Sequence, residues 1–278
     1  MSPMSTTRND ELARAATLPQ SDASSLVDAA ALEAKVRELY GHVAGEQTSG
    51  LHFEVGRPVA EHLGYPRALL DAIPERALAS FAGVGHHLGL AALTAGEAVL
   101  DLGSGSGTDV FCAAVQVGPS GRAVGVDFTP EQVAKAAGLR DRERFGHVGF
   151  VEGRIDELPF PDASFDVVIS NGVINLSVVK RRVFVEAARV LRPGGRLAVA
   201  DIVSGRPLKE RTRRNVDLWA ACIAGAIPRG AYLAAIEDAG FELRDVLRND
   251  YRFISERALE ACSTYEVQSV SVLAVKTA

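Results

Sequence analysis

Apolar and polar positions alternate between two periods along this 278-residue chain, and the changes of period mark its elements. Asp28 to Tyr40 repeats with helical spacing and brings Leu32, Val36, Leu39 and Tyr40 to one face. Pro66 to Phe81 carries a second helical pattern. Short continuous apolar runs then take over at Ala98–Leu102, Ala123–Asp127, Val148–Glu152, Phe165–Ser170 and Arg196–Asp201. Strands buried on both faces read this way, and helical segments separate the runs. One of those segments opens at Thr129-Pro130, a cap residue followed by proline. Another, Lys180 to Val190, stops before the turn Arg192-Pro-Gly-Gly195. Further on, 206–228 and Ala231–Ala239 read as helical, and Phe241–Leu247 and Gln268–Val275 as two closing strands with a helix between. The pattern predicts an α/β fold: a doubly wound, mostly parallel seven-stranded sheet behind an N-terminal helical cap.

This divides the chain into a polar, disordered tail (1–25), a helical cap or lid (26–90), an α/β core (91–205), and a final part (206–278) of further helices and an antiparallel strand pair. Gly41 to Gly56, glycine-rich and polar, reads as a loop able to close over a site. Leu218 to Ile227 is the longest apolar stretch near the C-terminus, about half a membrane span, so no membrane partner is expected. A net charge of −5 offers no general attraction to nucleic acid. Three widely spaced cysteines, Cys112, Cys222 and Cys262, suggest neither a disulfide framework nor a metal ligand set and point to the cytoplasm.

The chemistry concentrates between the first two strands. After Ala98–Leu102 come Gly103, Gly105 and Gly107, then a helix, then a second strand ending in Asp127. Glycines permit a sharp turn close to a ligand, and an acid at a strand tip accepts from a ribose diol. A dinucleotide site needs G-x-G-x-x-G at a helix N-terminus, and here the third glycine comes one residue early. Asp101 would also repel a phosphate, so a nicotinamide dehydrogenase is disfavoured; a carboxylate there suits a cation. D-x-G-x-G-x-G resembles the first motif of class I S-adenosylmethionine methyltransferases. That resemblance makes S-adenosylmethionine the expected cofactor, with Asp101 facing its ammonium, Gly103, Ser104 and Gly105 lining its methionine part, Asp127 on the ribose and Phe128 on the adenine. Gly153-Arg-Ile-Asp156 resembles the family's third motif, with Arg154 where an acid is usual; it implies adenine-edge contacts at Ile155 and Asp156. Asn171 stands where the family makes backbone contacts to the cofactor.

Leu158-Pro-Phe-Pro161, Phe165-Asp-Val-Val168 and Arg189-Val-Leu-Arg-Pro-Gly-Gly195 resemble the UbiE-like methyltransferases. Tyr40-Gly-His-Val-Ala44, Leu63-Gly-Tyr-Pro66, Ser80-Phe-Ala-Gly-Val-Gly85, Ile169 to Leu176 and Leu218 to Gly225 resemble bacterial arsenite methyltransferases. Those enzymes hold As(III) through several cysteine thiolates, soft donors for a soft centre. Here only Cys222 matches a ligand position, and Gly172 replaces another. The expected activity is therefore methyl transfer to a small-molecule acceptor. The alternatives are a metalloid methyltransferase using Cys222 with thiol-conjugated substrate, and a non-catalytic cofactor-binding protein. Tyr40, His86, Asn171 and Cys222 are the catalytic candidates; His42, His52, His87, Asn175 and Trp219 are further acceptor-side residues.

Overall fold

The computed structural model describes residues 27–45, 51 and 53–277. The proposed tail at 1–25, and residues 46–50 and His52 of the loop expected at 41–56, lie outside them. Helix α1 (Ala29–Ala44) is capped by Asp28, whose carboxylate accepts from the Ala30 and Ala31 N–H groups. It runs a turn longer than the apolar periodicity suggests. Where one helix is expected over Pro66 to Phe81 there are two single turns, Arg67–Leu70 and Glu75–Leu78. Pro74 separates them, because proline lacks a donor and disfavours helix at the residue before it.

The core strands follow the sequence closely: β1 (Ala98–Leu102), β2 (Arg122–Asp127), β3 (Val148–Glu152), β4 (Phe165–Asn171) and β5 (Leu191–Val203). The closing strands are β6 (Phe241–Arg248) and β7 (Gln268–Lys276). They form one sheet in the order β3-β2-β1-β4-β5-β7-β6. Pairing is parallel from β3 through β5, and β7 runs antiparallel to both β5 and β6. The Arg192-Pro-Gly-Gly195 turn is absorbed into β5 as a bulge: Phe165 pairs with Leu191, yet Val167 pairs with Arg196. The extra residues are extruded without losing the register beyond them.

Successive side chains of β1 enter opposite faces. Val99 joins Val167, Ile169 and Ala198 beneath Leu70, Leu78, Leu88 and Phe111. Leu100 and Leu102 join Val168, Leu197 and Val199 beneath Val183, Phe184, Tyr232 and Ile236. The expected helix over 206–228 is instead two short pieces, Glu210–Arg213 and Val216–Ala220, the latter capped by the Asn215 side chain. Two residues beyond it stands Cys222, a non-glycine residue at φ 61°. Among the described residues no helix is long and apolar enough to cross a membrane. Strand order reverses between β1 and β4, which opens a crevice at their carboxyl ends.

Candidate active site

The turn after β1 is tied to its neighbour strand. The Gly103 and Ser104 N–H groups both donate to the Val126 carbonyl, at 2.8 and 3.1 Å. Gly103 sits at φ 70°, and a Cβ there would lie 2.8 Å from that of Val173, so only glycine fits. The Asp127 carboxylate takes the Gly105 N–H on one oxygen and the Thr129 N–H on the other, each at 2.9 Å. Burial raises its pKa, and these donors oppose the rise. Thr129 starts its helix without a side-chain cap of its own.

Asp101 is 3% exposed, and its Oδ1 has no hydrogen-bond partner; the Ser104 hydroxyl beside it also has none. Burial, followed by the charges of Asp109 and Asp127, holds the Asp101 carboxyl well above the usual range. A buried carboxylate oxygen left without a donor is costly in the free protein and becomes favourable when a cation meets it. The ammonium of S-adenosylmethionine supplies such a charge, whereas a phosphate would add another anion. The donor set thus fits the cofactor that the motif implies.

One cavity gathers all nine residues expected to hold that cofactor: Asp101, Gly103, Ser104, Gly105, Asp127, Phe128, Ile155, Asp156 and Asn171. Two of them have prior engagements. Asp156 is held by Arg154, whose Nε and Nη2 donate to its two oxygens at 2.9 and 3.2 Å. Asn171 braces the site. Its Oδ1 accepts from the Val84 and Gly85 N–H groups, and its Nδ2 lies within 3.1 Å of Tyr65 Oη, Gly85 O and Asp109 Oδ2. Tyr65 in turn donates to Asp109 Oδ1 at 2.5 Å. The Tyr65–Asp109–Asn171 set was not anticipated as a unit. Asn171 was expected to touch the cofactor and Tyr65 stood only inside a quoted motif, and periodicity carries no sign of a contact across 106 positions.

The cover over the cavity is α1 itself. Ala29, Leu32, Glu33, Val36 and Tyr40, spaced three or four apart, line the cavity from one helix face. Beyond Tyr40 lies Cys222. Its Sγ is 3.9 Å from the Tyr40 hydroxyl and donates to the Gly172 carbonyl at 3.5 Å. Burial, with the negative Asp201 nearby, pushes the Cys222 thiol up to about 12. Burial likewise raises Tyr40 well above 10. Both side chains are therefore protonated at neutral pH.

The other acceptor-side candidates are not brought together. His86 does not line the cavity; its ring packs on Tyr65 at 4.4 Å between centroids, and burial lowers its pKa. His87 is fully buried, with neither ring nitrogen partnered. His42 is exposed. Asn175 is buried and donates to the Cys222 carbonyl at 2.6 Å. Trp219 belongs to the apolar seam under α1, with Val27, Leu32 and Val36. A sequence does not say which way a loop turns its histidines.

Residues 93–257 match the family model described as a methyltransferase domain, and the chain belongs to that family. Its cofactor is S-adenosylmethionine. Among curated relatives, an arsenite methyltransferase of Halobacterium salinarum is 41% identical over 199 residues, covering 71% of this chain and 51% of that protein. A second, from Aquipseudomonas alcaligenes, is 39% identical, covering 69% of this chain and 57% of its own length. The chain thus spans about half the length of the curated relatives it matches. Among solved structures, an arsenic (III) S-adenosylmethionine methyltransferase from Chlamydomonas reinhardtii superposes with a TM-score of 0.59. It is 29% identical, with 81% of this chain and 75% of that one covered.

Proposed function

We propose that this chain transfers a methyl group from S-adenosylmethionine to a small, uncharged organic acceptor. The observation that carries the reading is the unpartnered, buried Asp101 carboxylate beside the glycine turn. When bound, S-adenosylmethionine supplies a methyl group already activated on a sulfonium. Asp101 would hold the ammonium and Asp127 the ribose hydroxyls, while Phe128 and Ile155 flank the adenine. Leu32 and Val36 of α1 would exclude water from above. The acceptor would sit at the end where Tyr40, Gly172, Val173 and Leu176 meet, a stretch of wall without a charged side chain. Tyr40, kept protonated by burial, is a hydrogen-bond donor there and not a base. Among the described residues that line this end none is a base, so on this reading rate enhancement rests on alignment and desolvation of an acceptor that is nucleophilic as it stands.

The metalloid reading has one favourable observation, the cysteine behind Tyr40 of the pocket wall, together with the names of the relatives. Against it, As(III) binds thiolates, and this thiol is protonated, buried and donating to a carbonyl, while Gly172 offers no sulfur. A cytoplasmic setting accords with three cysteines free of disulfides, and the net negative charge disfavours a nucleic-acid acceptor. The test is calorimetry with S-adenosylhomocysteine and with NAD, then a product assay with arsenite and excess glutathione. Tighter binding of NAD would sink the cofactor assignment. Rapid methylarsenic formation would replace the organic acceptor with the metalloid, and binding without turnover on any acceptor would leave a sensor.

A further inference from the structure

Arg154 departs from its family's pattern, and the structure gives the departure a use. Its Nη1 donates to Glu33 Oε1 of α1 at 2.6 Å, while its other nitrogens grip Asp156 on the loop after β3. One turn further along α1, Arg37 lies over the Phe128 ring, 5.2 Å from its centroid. The middle of α1 is thus fastened to the two loops expected to hold the adenosine. The far end of the helix is fixed differently. Gln132 donates to the Tyr40 carbonyl at 2.9 Å, Lys135 to the Ala44 carbonyl at 2.9 Å, and the Ser80 hydroxyl to the Val43 carbonyl at 3.1 Å. Three side-chain donors on the carbonyls of Tyr40, Val43 and Ala44 make that end the fixed one.

Resting on the reading of this cavity as the cofactor site, we infer that Arg154 is a positioning residue: it latches α1 shut over the bound cofactor through Glu33 and sets how fast the nucleoside leaves. Glu33, Arg154 and Asp156 all line the cavity, so the ion pairs span its wall at the seam between α1 and the loop after β3. The side chains of Glu33 and Arg154 are 37% and 48% exposed. A pair so exposed is screened by salt and gives a modest barrier, suited to a contact that must break in every cycle.

The experiment is stopped-flow release of S-adenosylhomocysteine from the full chain. Glu33→Gln and Arg154→Gln should each speed release about threefold, the worth of a half-exposed pair. The double variant should be no faster than either single one, since both remove the same contact. Raising NaCl from about 0.05 to about 1 M should speed the wild type by a similar factor and leave the variants nearly unchanged. This salt series needs no substitution and so is independent of any folding defect. Acceleration in Arg154→Gln alone would mean that Arg154 touches the ligand directly and would overturn the latch. Unchanged rates, or additive ones, would do the same. Absence of S-adenosylhomocysteine binding to the wild type would remove the cofactor reading and the latch with it, whereas binding with unaltered rates would remove only the latch.

Discussion

The two ends of the crevice are built from opposite materials. At the cofactor end, Asp101, Asp127 and Asp156 are all buried, and the first keeps an oxygen free of any donor. At the acceptor end, Tyr40, Gly172, Val173 and Leu176 carry no charge, and the polar atoms there either satisfy one another or are held protonated by burial. On the proposed reading the first end would recognise charge, at a cost in stability until the ligand arrives, and the second shape. The two ends meet at Val173, which packs against Gly103 of the glycine turn.

Asp127→Ala should break the cofactor end most. It strands the Gly105 and Thr129 N–H groups and removes the ribose acceptor, at a cost of about 3 kcal/mol, or roughly 100-fold in the dissociation constant of S-adenosylhomocysteine by calorimetry. An unchanged constant would remove Asp127 from the site. Asp101→Asn comes next, at about 1.5–3 kcal/mol for the lost charge-assisted pair, and it has a second signature. A carboxyl whose folded pKa lies above its unfolded value lends stability only while protonated, and loses it as pH rises through the folded pKa. The amide should therefore raise the Tm of the ligand-free protein at neutral pH while weakening binding. By the same sign, a cation drives the proton off Asp101, so wild-type affinity should climb with pH through that raised pKa and the Asn variant should show a flat profile. A falling Tm in Asp101→Asn would contradict the stored cost.

The acceptor end should respond less. Tyr40→Phe loses one hydrogen-bond donor and should lower kcat/KM on an organic acceptor by about 0.5–1.5 kcal/mol, under roughly 15-fold. A hundredfold loss would give Tyr40 a direct part in the chemistry. Cys222→Ser should change turnover least, within about threefold, since a hydroxyl still donates to the Gly172 carbonyl. Methylarsenic formation in the wild type that vanishes in this variant would erase the distinction between the two ends and make Cys222 a ligand.

Much of the fold was legible because β1, β2, β4 and β5 lie inside the sheet, where burial on both faces leaves an unbroken apolar run. Ala98–Leu102 and the helix Lys180–Val190 fall where the pattern puts them. That Asp101, the glycine turn and Asp127 line one cavity was legible for a different reason: glycines and acids beside a strand end mark the crevice where the sheet order reverses. What failed was direction. Leu32 and Val36 read as a face to be packed, and periodicity does not distinguish a face turned to protein from one turned to a ligand. Pro74 was inside a stretch taken as continuous helix, although its ring decides the break. Arg154 looked like a missing acid, and its partner Glu33 lies 121 positions away, out of reach of any local pattern.

Helix α1 also works as a lever. Leu32 and Val36 line the cavity from its free arm, while Tyr40 stands at the anchored end, where Gln132, Ser80 and Lys135 hold the carbonyls of Tyr40, Val43 and Ala44. On the proposed reading, the gate at Glu33 and the acceptor wall at Tyr40 would be the moving arm and the pivot of one rod, so opening the first would leave the second standing.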